Sequence, residues 1–291
     1  MAGMSWSSLG LGVAMALLGL GCDLAAKARG PASPETGASE SETPDSAEAV
    51  AGVPATASPS GPAPASVDLP GTTVDDSGPI RVGWLDDDEP SVSVVRGRGV
   101  GPDKLVFLHG MCGHGFGYAQ SFQHASARKG RLIAPQADVL CGEGPGAKWS
   151  MDVAALDARI VAAFLKLGYA EPISDICVLG MSQGATRAAA LARTFPERYT
   201  RLVSMGAPTA VKSSGLERLR AAVVMVGQRE RKDLMLASEK ALRRAGVPAK
   251  SLIIPDADHA GMGPTPEQTM ADMLDWLWAN SRPAAASPSR Q

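Results

Sequence analysis

Aromatic residues are scarce in this chain of 291 residues: 4% overall, as five Trp, three Tyr and five Phe. With 45% hydrophobic residues the chain still has enough for a core, and that core must be largely aliphatic. A surplus of charge is missing too. The net charge of −2 and pI near 6.1 give no electrostatic ground for expecting a nucleic-acid partner. No charge run suggests a basic tail, and there is no heptad pattern and no fixed-period repeat, which excludes a coiled coil or solenoid. Histidine is limited to His109, His114, His124 and His259, and cysteine to Cys22, Cys112, Cys141 and Cys177. Any chemistry that needs an imidazole therefore has four candidates.

Long apolar runs are also lacking. The N-terminal one, Leu9 to Leu20, has 12 residues, within the range of a signal-peptide core and too short to span a bilayer as a helix. No Lys or Arg precedes it, so only the terminal amine is positive. It closes as Leu18-Gly19-Leu20-Gly21-Cys22, which resembles a bacterial lipoprotein signal, although Gly19 stands where such signals favour an aliphatic residue. That resemblance implies cleavage before Cys22, lipidation of its sulfur and anchoring of an exported protein at the cell envelope. An ordinary secretory signal and an uncleaved anchor are the other readings. Residues 23–78 show no periodicity, and nine acids there face only Lys27 and Arg29. Such a Pro/Ala/Ser-rich acidic segment has too little apolar surface to offset ordering, and is expected to be a disordered, semi-extended tether. Residues 283–291 read as a frayed tail.

Between them, residues 79–282 alternate short apolar runs with amphipathic stretches. Strands are expected at residues 80–84, 92–95, 105–108, 131–134, 175–179, 201–205, 222–226 and 251–254. Several are continuous aliphatic runs with β-branched residues, as in parallel strands buried on both faces, and the first two lie close enough to pair as a hairpin. Helices are expected at 118–128, 152–167, 183–193, 216–220, 233–245 and 266–278. The alternation gives an α/β architecture: a doubly wound, mostly parallel eight-stranded sheet with flanking helices.

The fifth run ends in Gly180-Met181-Ser182-Gln183-Gly184 and passes directly into an Ala-rich helix. In a chain with 32 glycines, a G-x-S-x-G pattern gains meaning only from such a strand–turn–helix context. The turn lifts the Ser182 hydroxyl above the sheet edge and sets the Gln183 amide at a helix N-terminus, facing any oxyanion formed there. Ligands of an α/β sheet bind at the carboxyl ends of its strands. Those ends carry His109-Gly110-Met111-Cys112 after the third strand, Ser182 after the fifth, Glu230 after the seventh and His259 after the eighth.

Serine, acid and histidine in that order resemble the α/β-hydrolase family, nearest to its small serine esterases and dienelactone-hydrolase-like members. Where dienelactone hydrolases proper use cysteine, this chain has Ser182. The resemblance covers residues 79–282. It implies Ser182 as nucleophile, His259 as base and Glu230 as orienting acid, with Asp233 close enough to substitute. It implies an oxyanion hole of backbone amides from Gln183 and Met111, with Cys112 next in line. His114, in the same loop, and Trp149, in the long loop 136–151, are placed at the pocket, although Trp149 packing on the following helix is equally open. Strands three and four are neighbours in this fold, so export would allow a Cys112–Cys141 disulfide, with two free cysteines as the alternative. No metal or cofactor is called for, and the partner is a small-molecule ester. Only 77 positions separate Ser182 from His259, leaving no room for a large lid. A serine peptidase or a polyester depolymerase on the same triad, or a catalytically silent envelope binding module, stand as alternatives.

Overall fold

The computed structural model describes residues 75–85, 90–144, 146–259 and 261–283. The expected leader with Cys22, the expected tether up to residue 74 and the expected tail from residue 284 lie outside the described residues.

All eight expected strands form, and they join in one sheet. In chain order they are β1 (Arg81–Trp84), β2 (Val92–Arg96), β3 (Asp103–Leu108), β4 (Gly130–Pro135), β7 (Ile176–Met181), β8 (Tyr199–Met205), β9 (Ala221–Gly227) and β10 (Ala249–Ile254). The order across the sheet is β1-β2-β4-β3-β7-β8-β9-β10. β1 and β2 pair antiparallel, as does β2 with β4, and the remaining pairs are parallel. Alternate residues of the central strands feed two separate cores. Val106, Leu108, Ile176 and Val178 pack on one face, Leu105, Phe107, Cys177 and Leu179 on the other. This two-sided burial explains why the strands read as unbroken aliphatic runs.

Helices α3 (Val153–Lys166), α4 (Gln183–Thr194) and α5 (Asp233–Arg244) cover the first face. α1 (Gly115–Ser121), α2 (Gln123–Ala127) and α6 (Pro266–Ala279) cover the second. The single helix expected over 118–128 is two pieces. Phe122 between them leaves helical geometry at φ −139° and is fully buried, its ring 5.6 Å from that of Phe107. No helix forms at 216–220, where two successive turns bury Leu216 and Leu219 instead. Gly215, just before this segment, takes φ +76°, outside helical geometry, and the chain turns twice to place both leucines in the core.

Two further differences concern segments expected to lack structure. The loop 136–151 contains a small antiparallel hairpin, β5 (Val139–Leu140) and β6 (Ala147–Lys148). Asp76, counted among the tether acids, is bonded to the Arg131 guanidinium of β4 and accepts from the Gly97 amide at 3.0 Å. Contacts with the sheet thus extend before the expected boundary at residue 79.

Leaving β3, the chain turns one way to β4 and then returns to place β7 on the other side of β3. The crevice of a doubly wound sheet opens at such a reversal, beyond the carboxyl ends of the two strands. Those ends carry the His109-Gly110 loop and Ser182.

Candidate active site

The elbow forms because two positions lack a side chain. A Cβ on Gly180 would lie 2.3 Å from the Gly184 carbonyl oxygen, and one on Gly184 would lie 2.0 Å from that of Leu108. Their absence lets β3, β7 and the first turn of α4 meet almost backbone to backbone. Ser182 is held at φ 53°, ψ −115°, a conformation that costs a side-chain-bearing residue on the order of 1–3 kcal/mol. The surrounding packing bears that cost.

Three side chains far apart in sequence converge here. His259 Nε2 lies 2.9 Å from Ser182 Oγ, and its Nδ1 lies 2.6 Å from Glu230 Oε1. The second oxygen, Glu230 Oε2, accepts from the Gly227 amide at 2.8 Å, which fixes the carboxylate at the end of β9. Carboxylate to imidazole to hydroxyl is a geometry able to pass the serine proton to Nε2 and stabilise the resulting imidazolium. Asp233, the other candidate acid, is the first residue of α5 and is paired with Arg231 in solvent. The structure brings Glu230 to the imidazole and leaves Asp233 outside. The His259 side chain is 56% exposed and Glu230 18%, so the base faces an open cleft and the acid is mostly covered.

On the other side of Ser182 runs the loop after β3. A Cβ on Gly110 would come within 3.3 Å of the Ser182 Cβ, so the chain passes beside the hydroxyl before it reaches Met111. The Gln183 amide opens α4, where first-turn N–H groups have no intrahelical acceptor. The loop is braced from three directions. Cys112 and Cys141 form a disulfide with Cα atoms 5.6 Å apart, tying it to the β5–β6 hairpin. The Gln136 side chain bonds both the Gly113 carbonyl and the Gly115 amide, each at 3.2 Å. His109, fully buried, bonds the Gly110 carbonyl through Nδ1 at 2.7 Å and accepts from the Ala137 amide at Nε2, 3.1 Å away.

Those His109 contacts fit only the neutral ring. Burial holds its pKa down from 6.5 to about 4, outweighing the Gly110 carbonyl, which favours the charged form; His114 nearby lowers it further. The unfolded chain therefore binds a proton here between pH 6.5 and about 4 that the folded chain refuses. Stability from this group is complete above pH 6.5 and is lost as pH falls through that window, by up to about 3 kcal/mol. NMR titration of the four imidazoles checks this: His109 should remain neutral at pH 5, and a midpoint near 6.5 would remove the argument.

Of the two residues placed at the pocket, Trp149 takes the packing alternative and His114 caps a helix. Trp149 is buried, its Nε1 donating to the His109 carbonyl at 2.7 Å and its ring 4.9 Å from the imidazole. It belongs to the core cluster that contains Leu156 of α3. A large apolar ring with one donor found both burial and an acceptor beneath the loop. His114 accepts from the Phe116 amide at the start of α1 and meets Trp84 edge-on at 5.8 Å, making it a helix cap. Neither lines the cavity beside His259. His124 is exposed on α2, and Cys177 is a buried free thiol whose pKa burial pushes up. Gln183 has a role its sequence did not signal: its side-chain oxygen accepts from the Trp149 amide at 3.0 Å, clamping the hairpin loop onto α4.

No protein-family model and no curated protein matches this sequence. Among solved structures it is similar to a ferulic acid esterase, at 14% identity and TM-score 0.52 over 71% of this chain and 99% of that one. It is also similar to a substrate-bound fluorophosphonate-binding serine hydrolase of Staphylococcus aureus, at 15% identity and TM-score 0.52 over 69% and 99%. An esterase/lipase from an uncultured bacterium matches at 15% identity and TM-score 0.50 over 72% and 86%. With the sheet order, the elbow and these likenesses together, the chain has the α/β-hydrolase fold.

Proposed function

We propose that this protein is a serine hydrolase that cleaves carboxylic esters through an acyl-enzyme on Ser182. The observation that carries the reading is the unbroken path from Ser182 Oγ through the His259 ring to Glu230, at 2.9 and 2.6 Å. His259 takes the proton as Oγ attacks the ester carbonyl, and Glu230 holds the ring in the tautomer that can accept it. The Gln183 and Met111 amides, with Cys112 next in line, receive the negative oxygen of the tetrahedral intermediate. The imidazolium returns the proton to the departing alcohol oxygen, and water then repeats the sequence to free the acid. The esterase names of the structural neighbours support an ester rather than a peptide bond. The exposed imidazole and the short segment between Ser182 and His259 support small, soluble esters.

A fluorophosphonate probe tests the nucleophile. Wild-type protein should be labelled at Ser182 and should hydrolyse p-nitrophenyl esters in preference to peptide anilides. Ser182→Ala should stay unlabelled and lose about 10⁴-fold or more in kcat/KM. A folded wild-type sample that takes no label would favour the silent binding module.

The reading includes an address. Export with lipidation of Cys22 would hold the hydrolase at the cell envelope on its acidic tether, a proposal supported by the Leu18–Cys22 sequence alone. Cys22→Ser should move the protein from the membrane pellet to the soluble fraction; an unchanged pellet rejects the anchor.

A further inference from the structure

On the sheet face covered by α3, α4 and α5, a cavity of about 410 Å³ opens beside the imidazole, beneath the turn at residues 206–208. That volume falls in the range of small-ligand pockets. Val224 and Val226 of β9 and Met235 of α5 supply aliphatic lining, and His259 and Glu230 belong to its wall. Gly206 has φ +52°, and a Cβ on it would lie 3.4 Å from both Cε1 and Nδ1 of His259. The turn backbone therefore runs against that edge of the ring.

One buried polar group in the lining lacks a partner among the described residues. Ser204 stands opposite Val224 in the β8–β9 register, so its side chain projects to the same face. Ser204 is 1% exposed, and its Oγ has no hydrogen-bond partner among the described residues. The other cavity serine, Ser238, accepts from the Val211 amide at 2.9 Å and donates to the Leu234 carbonyl at 2.6 Å. A buried hydroxyl left unpaired costs about 1–3 kcal/mol, which alanine at this position would avoid. It is a bonding site without a bond, at an aliphatic wall next to the base.

We propose that this cavity is the alcohol subsite: it takes the leaving alcohol of the ester, one with an apolar body and a hydrogen-bonding oxygen at its far end, which Ser204 Oγ engages. The proposal rests on the ester-hydrolase reading. In that reaction the Oγ–acyl carbon bond forms as the bond from acyl carbon to alcohol oxygen breaks. The serine proton, carried by Nε2, goes to that oxygen, and a neutral alcohol departs. The leaving oxygen must lie at Nε2 to receive it. His259, Gly206 and Ala207 share the cavity wall, so the group attached to that oxygen has the cavity on the same side of the imidazole as the turn. The acyl oxygen points the other way, toward the loop at Gly110. Of the charged residues in the lining, Glu230 is already engaged by His259 and the Gly227 amide, and Arg229 and Arg231 are exposed, so the aliphatic part of the wall suits a neutral alcohol.

The test holds the acyl group at acetyl and varies the alcohol among methanol, pentanol and 1,4-butanediol, the last two matched in length and differing in a terminal methyl or hydroxyl. In Ser204→Ala the kcat/KM ratio of 4-hydroxybutyl acetate to pentyl acetate should fall about tenfold, and Ser204→Thr, which retains a hydroxyl, should restore most of it. Val226→Phe, which fills the cavity, should lower both long esters about tenfold relative to methyl acetate, with no comparable effect when only the acyl chain is lengthened. Unchanged ratios in an enzyme that hydrolyses these esters and is labelled at Ser182 would overturn the subsite and spare the hydrolase. Absence of both hydrolysis and labelling in the wild-type protein would overturn the hydrolase reading, and the subsite with it.

Discussion

Glu230→Gln should lower kcat/KM on a short-chain ester by roughly 10³ to 10⁴, the scale found when an amide replaces the triad acid of a serine protease. Asp233→Asn should leave it within about twofold. The amide is nearly isosteric, so the protein should fold as before. Its carbonyl can keep the bond from the Gly227 amide, which Glu230 now accepts at 2.8 Å. That leaves the NH₂ group facing His259 Nδ1, where Glu230 Oε1 sits at 2.6 Å. An N–H donor at that position makes Nδ1 the acceptor and moves the ring proton to Nε2. Nε2–H pointing at Ser182 Oγ cannot accept the serine proton, and any imidazolium that forms has lost its counter-charge. Asp233 contributes nothing comparable, since its partner is Arg231 on the open surface. The initial rate of fluorophosphonate labelling gives a second readout that does not depend on the choice of ester. A Glu230→Gln protein within tenfold of wild type, with Asp233→Asn the more damaged, would move the acid's role to Asp233.

Gly184→Ala should be among the most destabilising single-methyl changes in the chain, at about 3–4 kcal/mol or more. The added carbon would sit 2.0 Å from the Leu108 oxygen and 2.6 Å from that of His109. Both are backbone atoms at the end of a central strand, so no side chain can swing aside. Relief requires α4 and β3 to separate, which also draws Gly110 away from Ser182. For a domain of this size the loss corresponds to a fall in Tm of roughly 10 °C. Gly117→Ala is the control, because a Cβ there meets nothing within 4 Å. Being inside α1, that change should be neutral or stabilising by up to about 1 kcal/mol. Thermal unfolding of the two variants against wild type decides the matter. Equal midpoints for both would show that the elbow tolerates a side chain.

The strands were legible because burial on both faces leaves nearly uninterrupted aliphatic runs, as in Cys177-Val178-Leu179. Ser182, Glu230 and His259 were legible because each follows such a run, and a sheet gathers its strand ends on one edge. The features that went unread depend on partners distant in sequence. Asp76 looks like one acid among nine until Arg131, 55 residues later, is brought to it. Gln183 follows the elbow serine as any polar residue would, and its clamp on Trp149 spans 34 residues. The β5–β6 hairpin pairs only two residues on each side, too few for an alternating pattern to show. The break at Phe122 came from a ring that gains more by entering the core than the helix loses by bending. Ser204 interrupts an apolar strand in a way that sequence alone cannot tell from an ordinary bonded serine.

The bond between Cys112 and Cys141 encloses α1, α2, β4 and the start of the hairpin in a covalent ring. A protease that cuts anywhere between those two cysteines opens the ring without dividing the molecule. The hydroxyl, its base and the strands that carry them lie outside the ringed stretch, so a nicked copy keeps both fragments in register.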